Sequence, residues 1–333
     1  MTYESILTDL KKKKYHPIYF LMGDEPYFID KITEYIASNV LKESEKAFNQ
    51  TILYGKDVDI AGVINAAKRF PMMAEHQVVI IKEAQNIRNI DDLVYYAQNP
   101  LKSTILVINY KHKKLDKRKK LFNEIQKSGV LLESKKLYDD KIPDWITKYL
   151  ASRKYEIQPT GALLLAEFLG AELSKIVMEL DKLILTLPEG ERLITPVHIE
   201  ENIGISKDYN NIELQKALIR KDHVKAFRIV DHFANNQKNN PFVVTIAILY
   251  SFFNKILVYY FLKDKSKMAV ASALKINPFF VGDYQRAVSI YPPKKAVEVI
   301  SLLRQYDLKS KGVGNISATP GDLLKELVYH ILK

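Results

Sequence analysis

The chain has 333 residues, 47% of them hydrophobic and 27% charged, which allows two or three domains around ordinary globular cores. It carries a formal charge of +11 and no cysteine, which excludes disulfides, thiolate zinc sites and a cysteine nucleophile and points toward polyanionic partners, nucleic acid foremost. No run approaches the roughly 18 consecutive apolar residues of a membrane helix. The polar start Met1–Lys14 is unlike a secretory signal, so the expected home is the cytoplasm.

In chain order, Ile18–Met22 reads as a first buried strand and Tyr27–Val40 as a helix with Phe28, Ile32, Tyr35 and Ile36 on its apolar face. Phe48–Leu53 follows as a strand, Ile60–Lys68 as a short helix, and Gln77–Lys82, Ser103–Asn109 and Gly129–Glu133 as three more strands. These strands are continuously apolar and alternate with helices, the pattern of a parallel sheet covered on both faces. The expected first domain is therefore a doubly wound α/β unit over residues 1–140.

From Ile142 onward strand signals nearly vanish. Helices are expected over Asp144–Ser152, Thr160–Leu169 (with Thr160 as N-cap), Leu173–Leu187 and Thr195–Asn202, a helical module of residues 141–208. Residues 209–333 read as a helical bundle: Asn211–Arg220, His223–Asn235, Pro241–Lys263, Lys267–Leu274, Pro278–Ile290, Pro292–Ser310 and Pro320–Leu332. Pro241–Lys263 is apolar nearly all round, as a central or inter-subunit helix would be.

The segment around Gly23 has the strand–turn–helix plan of a phosphate loop without the groups that hold a phosphate. A working loop needs a second glycine and then Lys-Ser or Lys-Thr, so that backbone N–H groups and an ammonium surround the anion. Here Gly23 is followed by the carboxylates Asp24 and Glu25 and by Pro26, which has no N–H to give. The strand Val78–Ile81 leads into Lys82-Glu83, where ATPases of this layout end in two acids that hold a metal; Lys82 puts a cation in that place. Ile105–Asn109 has the form of the strand whose terminal polar residue senses a γ-phosphate.

Taken with Phe20–Ile29, the segment Phe70-Pro71-Met72-Met73-Ala74-Glu75-His76-Gln77, Glu179–Leu183 and Asp307–Gly312, these features resemble the delta subunits of the bacterial DNA polymerase III clamp loader, in order along the whole chain. The resemblance implies an AAA-plus type core (1–140), a helical lid (141–208) and a C-terminal helical collar (209–333). It implies no ATPase activity, no catalytic residues and no cofactor or metal of the subunit's own, although the assembly serves a DNA-directed DNA polymerase. The absence of cysteine fits delta rather than a zinc-bearing motor subunit.

The implied partners are the sliding clamp, the motor and delta-prime subunits through the collar, and primed DNA, with no membrane and a place at the nucleoid. Delta subunits grip the clamp through an apolar pair that matches Met72 and Met73; Phe70 and Pro71 complete the tip, with Arg69 and Glu75 at its rim. Relatives often carry an aromatic where Met73 stands. An apolar Phe-Pro-Met-Met between a helix and a strand is unusual for a loop, and methionine adapts to a partner's pocket.

The basic run 111–120 offers Lys113, Lys114, Lys117 and Arg118 as candidate DNA contacts, or else a solvated loop. Two alternatives remain at this level, an active AAA-plus ATPase with an atypical loop and a free-standing basic DNA-binding adaptor. The seven histidines are scattered, without metal-ligand spacing.

Overall fold

A computed structural model describes residues 1–206 and 208–333, and these fall into two compact units, Met1–Leu137 and Tyr138–Lys333. The first contains, in order, α1 (Tyr3–Lys11), β1 (Ile18–Gly23), α2 (Pro26–Asn39), α3 (Glu43–Asn49), β2 (Gln50–Tyr54), α4 (Ile60–Ala67) and β3 (Gln77–Lys82). Two short 3-10 turns and α5 (Val94–Ala97) then lead to β4 (Thr104–Lys111), α6 (Lys120–Ser128) and β5 (Val130–Ser134). All five strands are parallel, in the order β2-β3-β4-β1-β5.

Alternate residues of each central strand feed opposite cores. Ile18, Phe20 and Met22 of β1 join Val79, Ile81, Leu106 and Ile108 in a cluster with Val63 of α4 and Leu121 and Ile125 of α6. Tyr19 and Leu21 join Val78, Ile80, Ile105, Val107, Val130 and Leu132 in another, closed by α1 and α2. Both faces of the sheet are thus dry, which is why β1 is buried at every position and lacks the polar alternation of a half-exposed strand. The expected doubly wound parallel class is what the structure has.

Several local expectations are corrected. The polar start folds into α1: Thr2 and Ser5 form its capping box, and Ile6 and Leu10, one turn apart among lysines and acids, are buried. The strand expected from Phe48 begins at Gln50, because α3 runs through Asn49 and leaves Phe48 exposed on a helix. On α2 the deepest residues are Ile29, Ile32 and Ile36; Phe28 and Tyr35 are only half-buried.

The second unit contains α7 (Ile142–Ser152), β6 (Glu156–Ile157), α8 (Pro159–Leu169), α9 (Leu173–Thr186), β7 (Leu193–Ile194) and α10 (Pro196–Ile203). It continues through α11 (Asn211–Arg220), α12 (His223–Asn235), α13 (Phe242–Phe261), α14 (Lys267–Leu274), α15 (Val281–Ile290), α16 (Pro293–Ser310) and α17 (Pro320–Leu332). The parallel pair β6–β7 is too short for a periodicity to announce it. Gln158, not Thr160, is the N-cap of α8, because Pro159 takes the first helical position.

Residues 214–332 share one apolar cluster at whose centre lie Phe252, Phe253 and Ile256 of α13. Among the described residues α13 is the one helix long and apolar enough on average to cross a membrane; Thr245, Ser251, Asn254 and Lys255 interrupt its apolar run, and its buried face belongs to this cluster.

Candidate functional site

The loop after β1 is closed on itself. Gly23 has φ +125° and lies opposite Ser134 of β5. The N–H groups of Asp24 and Glu25 both donate to the Ser134 carbonyl, at 2.9 and 3.4 Å, and the Ser134 hydroxyl donates to the Glu25 carbonyl at 2.7 Å. Glu25 is buried, and its carboxylate accepts the Tyr27 N–H at 3.1 Å, capping α2. Burial raises the Glu25 pKa while the Tyr27 N–H opposes the rise.

The helix N-terminus that would meet a phosphate therefore meets an internal carboxylate. Every residue from Asp24 to Tyr27 either has its N–H engaged or, as Pro26, has none. The strand-end residue Asn109 is equally occupied. It is buried and accepts the Thr33 hydroxyl of α2 at 2.8 Å.

Charges fill the carboxyl end of the sheet. Lys111 pairs with Asp30 at 2.8 Å and Glu83 at 3.5 Å; Lys82 lies over the Tyr54 ring at 5.9 Å. In the basic run Lys114 reaches Asp24 at 3.3 Å and Glu133 at 3.2 Å, and Lys117 reaches Glu133 at 3.7 Å. Arg118 grips Asp116 at 2.7 Å and Lys113 donates to the Gln85 carbonyl at 3.1 Å. The hydrogen bonds from Lys114 hold Glu133 below its usual carboxylate range. All four candidate DNA contacts thus have an internal partner, but exposed pairs of this kind contribute little and can be exchanged for phosphate.

The tip lies between α4 and β3. Phe70, Met72 and Met73 are 76%, 61% and 102% exposed, so neither methionine covers the protein's own core. Arg69 and Glu75 are also exposed, on either side of them.

What holds this apolar segment out is polar. The buried Gln77 amide lies 2.7 Å from the Arg69 carbonyl and 2.9 Å from the Thr104 hydroxyl, with the Ala66 and Ala67 carbonyls at 3.1 and 3.2 Å. Asn49, at the end of α3, binds the Met72 backbone on both sides. Met73 has φ +53°. Asn49 and Ser134 have no motif around them; Gln77 ends the Phe70–Gln77 segment, but nothing in the sequence marked its side chain as a support.

No group of three or more histidines and acids is placed to hold a metal among the described residues. In the second unit, burial pushes the Glu167 carboxyl up to about 7 despite hydrogen bonds from Asn211. Near the chain's end Lys309 pairs with Glu326 at 3.8 Å and Lys311 with Asp307 at 2.7 Å.

Residues 19–135 match the family described as DNA polymerase III, delta subunit. The DNA polymerase III subunit delta of Bacillus subtilis is 26% identical over 317 residues, covering 90% of each chain. Among solved structures, a Bacillus subtilis DNA clamp loader delta protein superposes with a TM-score of 0.54 at 24% identity, covering 99% of each chain. The chain resembles DNA polymerase III delta subunits in sequence over most of its length, and its fold is like theirs.

Proposed function

We propose that this chain, delta-like in sequence and fold, is the delta subunit of a DNA polymerase III clamp loader and docks on the sliding clamp through Phe70–Met73. The observation that carries the reading is the tip itself: two methionines and a phenylalanine held in water by a loop whose backbone is fixed. Apolar side chains at such exposure are stabilised by leaving water for a partner's pocket. A tip seated beside the clamp's ring interface favours the open ring to the extent that it fits the open form better than the closed one. Arg69 and Glu75 act at the rim.

ATP binding and hydrolysis then belong to neighbouring motor subunits. The engaged N–H groups of Asp24, Glu25 and Tyr27 and the carboxylate at the start of α2 support that division of labour. In this reading residues 141–208 are the lid and residues 209–333 the collar that joins the motor and delta-prime subunits. Primed DNA passes through the assembly in the cytoplasm, and the subunit needs no cofactor.

Calorimetric titration with ATP and magnesium tests the first alternative. No binding heat is expected up to millimolar nucleotide; a micromolar Kd would favour an active ATPase. Titration with the clamp tests the docking itself, and tight DNA binding without any affinity for the clamp would favour the free-standing adaptor.

The basic run gives a separate expectation. If Lys113, Lys114, Lys117 and Arg118 meet DNA, replacing all four with glutamine lowers the slope of log K against log salt by about 0.9 for each phosphate no longer neutralised. A slope unchanged for the assembled loader would leave Lys114, Lys117 and Arg118 to their internal ion pairs and Lys113 to its hydrogen bond with the Gln85 carbonyl.

A further inference from the structure

Asn49 is a buried polar side chain, 3% exposed, at the last position of α3. Its Nδ2 donates to the Glu45 carbonyl one turn back at 3.1 Å and, across 23 residues of sequence, to the Met72 carbonyl at 2.9 Å. Its Oδ1 accepts the Met72 N–H at 2.6 Å. The carboxamide thus pairs with the donor and the acceptor of one residue, as an adjacent strand would. The orientation follows from its partners, because the flipped amide would set its oxygen against two carbonyls.

The residue so held precedes one in an uncommon conformation. Met73 is left-handed, at φ +53°, and its side chain is fully exposed, so no packing of that side chain compensates the strain. The restraint comes through the backbone, from Asn49 at Met72 and from Gln77 at Arg69. Without the Asn49 pair, Met72 regains its backbone freedom and the left-handed turn at Met73 relaxes toward ordinary dihedrals. A loose tip loses that freedom on docking, whereas a fixed one has lost it on folding.

We propose that Asn49 is the positioning residue of the clamp contact: its carboxamide fixes Met72 and Met73 in their docking conformation before the partner arrives. This inference rests on the assignment of Phe70–Met73 as the clamp-binding tip.

The test compares the full chain with its Asn49→Ala, Asn49→Asp, Asn39→Ala and Met72→Ala/Met73→Ala forms. The readouts are amide hydrogen exchange at Met72 and affinity for the clamp at a temperature where all are folded. Asn39 is the matched control, a helix-terminal asparagine whose amide donates only to its own helix, at Tyr35.

Asn49→Ala is expected to speed Met72 exchange at least tenfold and to weaken clamp binding about tenfold, the worth of two neutral hydrogen bonds. Asn49→Asp keeps the acceptor for the Met72 N–H and loses the donor, so it should retain part of the exchange protection. Asn39→Ala should change neither readout.

The inference is overturned if Asn49→Ala leaves Met72 exchange unchanged. It is also overturned if that variant frees the amide yet binds the clamp within twofold of wild type while the double methionine variant does not bind. Should the double methionine variant bind normally, the assignment of the tip itself fails, and the role of Asn49 fails with it.

Discussion

Replacing Met72 and Met73 together by alanine is expected to abolish measurable clamp binding at micromolar protein while leaving the fold intact. Burying two methionine side chains supplies about 3–6 kcal/mol, at about 1.5–3 each, so their truncation weakens the complex by roughly two to four orders of magnitude. The same two contacts by themselves would give only millimolar to high-micromolar affinity, so Phe70, 76% exposed, must contribute too. Phe70→Ala should then cost binding on the same scale as one methionine.

Stability should hardly change. At 61% and 102% exposure the two side chains have little native burial to lose, and surface truncations of this kind stay within about 0.5 kcal/mol. A titration of the variant against the clamp, beside its urea midpoint, separates the two effects. Affinity equal to wild type with an unchanged midpoint would remove the tip from the interface.

The tip was legible because it broke a rule: apolar residues in a connecting segment, flanked by a helix and a strand whose limits, Ile60–Ala67 and Gln77–Lys82, the periodicity located to within a residue. The emptied loop was legible for a similar reason, since Asp24, Glu25 and Pro26 stand where donors belong. What makes both features rigid was not legible. Asn49 acts on Met72 and Ser134 on Asp24 and Glu25 across long stretches of chain, and a hydrogen bond between distant polar residues leaves no period or spacing to read.

The ion pairs of Lys114 with Asp24 and Glu133 are of the same kind, and they show a basic run already partnered within its own unit. α1 was hidden by its composition, because two buried residues, Ile6 and Leu10, suffice to dock a short helix whose other positions are mostly polar. The strand expected from Phe48 starts two residues too early; the capping pair of Glu45 with the Lys42 N–H, at 2.9 Å, supports a helix that runs to Asn49.

Gly23→Ala is expected to destabilise the first unit strongly, by about 4 kcal/mol or more, enough to prevent its folding if its stability lies at the low end of ordinary domains. A Cβ there would lie 2.0 Å from the Ser134 carbonyl oxygen and 2.8 and 2.9 Å from that residue's carbonyl carbon and nitrogen. All three are backbone atoms of a paired strand, so no side chain can swing aside. The position also has φ +125°, a region closed to L-residues, which adds about 1–3 kcal/mol of strain.

Relieving the clash by moving β5 would break the bonds from Asp24 and Glu25 to Ser134 and from Ser134 to Glu25. Buried groups left without partners cost about 1–3 kcal/mol each. Gly190→Ala is the control: it too has positive φ, +84°, but a Cβ there meets nothing within 4 Å, so only a modest conformational cost of about 1 kcal/mol is expected.

Tryptophan fluorescence would follow the wrong half of the molecule, since Trp145, the single tryptophan, lies in the second unit. Hydrogen exchange along β1 and β5 reads the right one. Fast exchange there in Gly23→Ala, with Gly190→Ala like wild type, is the expected result; protection equal to wild type would mean that β5 can yield. Because the loop's donors already serve Ser134, any loss of clamp binding in Gly23→Ala should track the unfolded fraction, with no separate nucleotide-dependent component.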